Sequence, residues 1–342
     1  MADKEKSSSK KKFFMFRKDF IILILFLMGI LAGFLWGVLF HKYKFFPYPE
    51  VKAAYHSLLE SEDYGPWSLG MYEGETPFDL KPFEGVKNPV LTGKECADSP
   101  YIADPFMIEK DGKYYMFFER LSRANLEGDI AYAESTDLKK WTYKHNILDE
   151  KFHLSYPNVF KWKNDYYLMP ESHQDLSVRL YKAQKFPNKW KFVKKLISGH
   201  SFVDPSIFRY NNKWWIFATT PANNILNLYY ADDLMGEWRA HPMNPVVRFN
   251  THISRPGGKV ITYKGRPYRF AQDCEPYYGI QIFAFEITEL TETTYAEKIV
   301  SEKPIITKSG KGWNAAGMHH IDLHKIGDKW VAVVDGKNRK GD

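Results

Sequence analysis

Ala103-Asp-Pro-Phe-Met-Ile-Glu-Lys-Asp-Gly-Lys-Tyr-Tyr-Met-Phe-Phe-Glu119 is an apolar run, a polar break at Asp111-Gly112, and an aromatic-rich run. Two such runs around a short turn make a β-hairpin. The pattern returns in Ser155–Glu171, Val203–Thr219, Ser254–Asp273 and Met318–Asp335. In the first three repeats a second hairpin follows, as in Asp129–Trp141 and Leu226–Trp238. Pro105, Pro157, Pro205 and Pro256 mark a period near 50 residues. Four strands per unit at that period describe a propeller blade.

The fifth repeat reaches Asp335 with seven residues to follow, too few for outer strands of its own. The segment from Trp67 to Phe78, continuing to Asn88-Pro-Val-Leu-Thr92, resembles the end of the third repeat, which runs into Asn244-Pro-Val-Val247. The expected fold is therefore an all-β, five-bladed β-propeller over residues 66–342. Strands from the N-terminal side complete its last blade and leave no long open edge. The aromatic content, 17% with 10 Trp and 22 Tyr, favours such a fold. A β-sandwich is the structural alternative.

Ahead of the propeller, Phe20 to Phe40 is 21 residues without a charge. As a helix it would span about 31 Å, enough for a bilayer core. We expect a basic cytoplasmic tail (residues 1–19), one transmembrane helix (20–40) and a linker (41–65). Seven Lys and Arg precede the apolar run, so the N-terminus is expected inside and the propeller outside, in a Golgi lumen, a periplasm or at a cell surface. A cleaved signal peptide fits less well, because His41 to Pro47 is bulky and aromatic. Gly29, Gly33 and Gly37 allow close packing against a second copy or another membrane helix, although glycine is common in such helices. The first 18 residues carry net +5 of the chain's +7, so the propeller has no basic stripe and nucleic-acid binding is not expected. Cys96 and Cys274 are read as two buried thiols or one bridge.

Inner strands of all blades start at one end of the axis, and second strands return to it. Equivalent starting positions are Asp104, Tyr156, Asp204 and His320, with Arg255 beside the fourth start. The second strands end in Glu119, Glu171, Thr219, Asp273 and Asp335. Clustered carboxylates shift one another's proton affinity, the arrangement acid–base chemistry requires. Taken singly, each Asp-Pro also fits a structural turn.

The Asp104-Pro105 and Asp204-Pro205 starts resemble the five-bladed glycosidases of families 43 and 32. That resemblance implies Asp104 as base or nucleophile and Asp204 as a group that tunes it. A closer resemblance covers about residues 65–336. His153-Leu-Ser-Tyr-Pro157, Met169-Pro-Glu-Ser172, Arg179-Leu-Tyr181, Gln272-Asp-Cys274, Tyr278-Gly279 and His319-His320 are similar to the N-terminal domain of glucosamine inositolphosphorylceramide transferases and its stand-alone relatives. In those enzymes a separate C-terminal domain is expected to transfer the sugar, so transfer is not expected of this segment.

The glycosidases place an acidic Glu near the start of the fourth blade, where this sequence has Arg255. The acid is then expected at Glu171, with Glu275 or Glu119 as alternatives. Arg255 implies an anionic ligand group, or a salt bridge to Asp273 or Asp204. Tyr156, Asp273, His319, His320 and Trp313 complete the expected ligand contacts. Adjacent strand residues face opposite ways, so His319 and His320 are not expected to share a metal. No cofactor is expected. Two functions remain open: a membrane-anchored glycoside hydrolase or transglycosidase acting on a glycan or glycolipid, and a non-catalytic glycan-binding or scaffold propeller.

Overall fold

The computed structural model describes residues 26–37 and 64–339. Residues 26–37 form a helix whose side chains are all exposed. Among the described residues no helix is long and apolar enough to cross a membrane. The rest of the Phe20–Phe40 run, the basic tail and most of the linker lie outside the described residues.

The described residues 64–339 are all-β, with five antiparallel sheets. The first blade is Ile102–Lys110, Lys113–Leu121, Gly128–Ser135 and Thr142–Leu148. The second is Ser155–Trp162, Asp165–Glu171, Ser177–Lys185 and Lys189–Ser198. The third begins with Val203–Tyr210, Lys213–Thr219 and Ile225–Ala231; the fourth has Arg266–Asp273 and Gln281–Leu290 at its centre. In the fifth, Ile321–Ile326 and Lys329–Arg339 are joined by Tyr64–Gly74 and Lys81–Pro82, so the N-terminal side supplies the outer strands. Tyr64–Gly74 pairs along Lys329–Arg339 from Tyr64↔Arg339 to Gly74↔Trp330.

Strand alternation explains the packing. Met116 and Phe118 face the fifth blade, while Phe117 between them faces the second. Each pair of neighbouring blades is joined by its own apolar cluster. Cys96 and Cys274 are free and buried, and burial pushes their thiols up to about 12 and about 11.

The repeated X-Pro starts carry a shared distortion. Asp104, Tyr156 and Asp204 have φ of 55°, 46° and 47°, and the ladder slips at all three places. These are β-bulges: two residues leave the pairing and the strand bends. A left-handed conformation costs a non-glycine residue on the order of 1–3 kcal/mol, and the surrounding packing must hold it. The bend takes the side chain out of plain alternation and turns it toward the axis.

Candidate active site at the axial mouth

The first half of the mouth is built on Asp335. Its Oδ1 accepts the backbone N–H groups of His319 and His320, both at 3.0 Å. Its Oδ2 accepts the N–H of Asp104 at 3.1 Å and lies 2.8 Å from Nδ1 of His319. Burial opposes charge on Asp335, but His319 and these amides hold its carboxyl below the usual range. His319 turns Nε2 to within 3.4 Å of Asp104 Oδ1, and His320 Nδ1 stands 3.6 Å from the same oxygen. Burial, with Asp204, Glu119 and Asp335 around it, raises the Asp104 carboxyl well above its ordinary value.

The second half centres on Arg255. It donates from Nε to Asp204 Oδ2 at 2.6 Å and from Nη2 to Oδ1 at 3.2 Å, and from Nη1 to Asn223 at 2.9 Å. Gln272 adds a donor to Asp204 Oδ2 at 2.6 Å. Burial lifts the Asp204 carboxyl to about 7 against the pull of Arg255. Donors on both of its oxygens suit the carboxylate form, so Asp204 is the ionised partner of Arg255. Glu171 Oε2 accepts the Asp204 N–H at 3.0 Å, and Oε1 lies 2.7 Å from His173 Nδ1. Burial resists charge on Glu171, yet His173 and Arg255 bring it down to about 2. Glu119 differs. Burial and the charges of Glu171 and Asp204 outweigh the hydrogen bond from Tyr101 and push it up to about 8.

The structure thus brings Asp104, Glu119, Glu171, Asp204, Arg255, His319 and His320 to one mouth. Other expected residues sit elsewhere. Tyr156 is fully buried, and its hydroxyl is engaged by Ser206 and by both backbone groups of Gly258. Asp273 is held by His252, Gln281 and the Glu275 N–H. Glu275 is exposed, 3.4 Å from Thr251. Trp313 lies over Gly70 and Gly336 in the cluster between the fourth and fifth blades, where it packs rather than offering a platform. Arg255 spends its fork on Asp204, the salt-bridge alternative of the two expected for it. The facing-apart expectation for His319 and His320 is corrected: both rings approach Asp104, because the two residues precede Ile321–Ile326 and do not follow strand alternation.

Asp104, His319 and Asp335 offer donor atoms within 4.8 Å of one another, as a divalent cation would use. Asp335 already accepts three backbone amides on its two oxygens, whereas Nδ1 of His319 and Oδ1 of Asp104 make no hydrogen bond among the described residues.

Two features were missed in the sequence. Tyr278 spans the halves of the mouth, with its ring 4.9 Å from the Arg255 guanidinium and 5.1 Å from the His319 ring. It remains 38% exposed, which makes it the accessible aromatic of the rim. Trp67 packs against the His319 ring, tilted 41° with centroids 4.0 Å apart. The second feature is a ring of carboxylate–imidazole pairs at the strand ends: Glu119–His153 at 3.3 Å, Glu171–His173 at 2.7 Å, Asp273–His252 at 2.9 Å and Asp335–His319 at 2.8 Å. Only the Glu171-Ser172-His173 spacing offered a local signal for it.

Residues 59–337 match the family model described as glucosamine inositolphosphorylceramide transferase 1, N-terminal. The chain is 36% identical over 301 residues to glucosamine inositolphosphorylceramide transferase 1 of Oryza sativa subsp. japonica, covering 80% of this chain and 40% of that protein. It is 33% identical over 304 residues to the Arabidopsis thaliana protein of that name, covering 80% and 39%. The chain therefore spans about two fifths of the relatives it matches. Among solved structures, the catalytic domain of a Coprinopsis cinerea family 62 α-L-arabinofuranosidase aligns with a TM-score of 0.55 at 12% identity, over 80% of this chain and 97% of that one. A thermostable family-43 glycoside hydrolase aligns at 0.52 and 19%, over 74% and 92%. At these identities the likeness is one of fold.

Proposed function

Because this chain belongs to the family of the N-terminal domain of glucosamine inositolphosphorylceramide transferase 1, we propose that its propeller is a carbohydrate-active domain whose mouth cleaves or transfers a glycosidic bond in a glycan or glycolipid. The observation that carries this reading is the divergence of two carboxyl groups in one pocket. Glu119 is pushed up to about 8 while Glu171 is brought down to about 2. Environments that push neighbouring carboxyl groups apart assign acid and base roles.

Glu119, not Glu171, is the proton donor, because Glu171 is ionised and has donors on both oxygens. Asp104 is the base once its own proton, retained through burial, has passed to Nε2 of His319, 3.4 Å from its Oδ1. Asp204, tied to Arg255, tunes both groups. The accessible face of Tyr278 is a stacking surface for a sugar ring.

The test is turnover of a panel of glycans, glycolipids and aryl glycosides by the detergent-solubilised full chain. Activity is expected to fall as pH rises through about 8, where Glu119 loses its proton. Glu119→Gln should lower kcat at least about 100-fold with KM little changed. An active Glu119→Gln enzyme would remove the acid role. A second reading, a glycan-binding or scaffold propeller, is favoured by the Arg255 that stands where glycosidases carry an acid. It requires ligand affinity without turnover, equal in native chain and in Asp104→Asn.

We also propose that residues 20–40 anchor the propeller in a membrane, with the N-terminus cytoplasmic. The uncharged run, the basic residues before it and the helix at 26–37 support this. The full chain should remain in the membrane pellet after alkaline carbonate extraction; release into the supernatant refutes it.

A further inference from the structure

Glu119 lies two residues before the end of the second strand of the first blade, Lys113–Leu121, and its two oxygens meet unlike surroundings. Oε1 accepts the Tyr101 hydroxyl at 3.0 Å and lies 3.3 Å from His153 Nε2. The tautomer of His153 follows from its other nitrogen. The Gly128 N–H donates to Nδ1 at 2.9 Å, so Nδ1 carries the lone pair and the neutral ring carries its proton on Nε2. The protonated nitrogen is therefore the one beside Oε1. Position 128 has room for no side chain: a Cβ there would lie 2.8 Å from Glu119 Oε1 and 2.4 Å from the Leu154 carbonyl oxygen. Leu154 in turn donates its N–H to the Gly128 carbonyl, which fixes the loop carrying His153 against the strand. Glu127, held by Gln174, stands 3.7 Å from Nδ1, and the His173 ring is 6.1 Å from that of His153. No hydrogen bond from a described residue reaches Oε2.

We propose that Tyr101 and His153 are positioning residues that make Oε1 of Glu119 the accepting oxygen and so place the carboxyl's single proton on Oε2, the oxygen left free for a ligand. A neutral carboxyl has one carbonyl-type oxygen and one hydroxyl. Two positive edges at Oε1 select it as the carbonyl. This rests on the reading of Glu119 as the proton donor. In the donating step the Oε2–H bond breaks and an O–H bond forms on the leaving sugar oxygen as its bond to the anomeric carbon breaks. Water adds to that carbon and gives its proton to Asp104. The carboxylate left on Glu119 keeps the Tyr101 hydroxyl as donor and the Nε2–H edge of His153 3.3 Å away, so the same pair steadies the product state. Glu171, Asp204 and Arg255 act on Glu119 from across the mouth.

The experiment uses the full chain with ¹⁵N-labelled histidine and ¹³C-carboxyl-labelled glutamate. The His153 ring should show the Nε2–H tautomer at neutral pH; an Nδ1–H ring overturns the proposal without any variant. The Glu119 carboxyl signal, assigned by its loss in Glu119→Gln, should titrate near 8. Tyr101→Phe removes the hydroxyl donor that favours the carboxylate, and His153→Leu removes the positive Nε2–H edge 3.3 Å from Oε1, so the midpoint should rise in both. With a turned-over glycoside, kcat should fall about 10-fold at unchanged KM, and the alkaline limb should move up with the carboxyl signal. Unmoved midpoints beside an inactive Glu119→Gln would defeat the positioning role and leave the acid in place. Moved midpoints beside a fully active Glu119→Gln would defeat the acid.

Discussion

Glu119 and Glu171 stand at equivalent positions near the ends of the second strands of neighbouring blades. What separates them is which oxygens their neighbours reach. Glu171 has His173 on one oxygen and the Asp204 N–H on the other, whereas Glu119 has both neighbours on Oε1. Stability should record this difference without any substrate. A carboxyl raised in the folded state holds its proton where the unfolded chain has lost it, so its contribution is present below the ordinary value of 4.5 and lost as pH rises through about 8. Glu171 acts oppositely: its contribution is present above 4.5 and lost as pH falls toward 2. Urea midpoints of the native chain should therefore decline from pH 5 to 8.5, and Glu119→Gln should give a shallower decline over that range. Equal slopes would contradict the raised Glu119. The sequence placed both residues at the mouth, because position in a strand fixes direction. It assigned the proton to Glu171 because the donors come from loops: His153 from the link between blades, Tyr101 from the lead into the first. Tyr156 was read as a ligand contact for a similar reason. Its position aims it at the axis, but only the close approach of Gly258 decides that its hydroxyl is used internally.

At the scale of the element, the blade starts show how far a repeat can be read. The Pro spacing gave the period, the hairpins and the five-fold plan. It did not reveal that Asp104, Tyr156 and Asp204 would all take a left-handed φ. A residue before proline is ordinarily extended, so the sequence rule points the other way, and the left-handed φ goes with a bulge in each ladder. A second device was legible as a resemblance but not as a mechanism. Asn88 and Asn244 each exchange two hydrogen bonds with one residue of a third strand, Met71 and Leu228 respectively. In both blades a side-chain amide stands in for a strand partner where the outer strand is too short to supply one. The likeness of Asn88-Pro-Val to Asn244-Pro-Val thus marks the outer edge of a blade, which is why it located the closing strands correctly.

At the scale of the molecule, closure depends on one long antiparallel pairing. Tyr64–Gly74 gives Leu69 and Met71 to the interface with the first blade and Tyr72 to the interface with the fourth. Without that strand two inter-blade clusters lose a wall and Lys329–Arg339 becomes an open edge. The register also places Tyr64 opposite Arg339, so the closing strand could follow Arg339 through a tight turn. A permutant running from Glu95 to Arg339, then a short turn, then Tyr64 to Lys94, keeps every pairing and opens the chain between two exposed residues. It should fold with a urea transition as steep as that of the unpermuted propeller. Deleting residues 64–94 instead should abolish the cooperative transition, since burial of several large apolar side chains is lost, each worth about 2–5 kcal/mol. If the deletion folds cooperatively, the N-terminal strands are an accessory layer. If the permutant fails while the unpermuted chain folds, closure depends on the order in which the blades form, and not on the pairing alone.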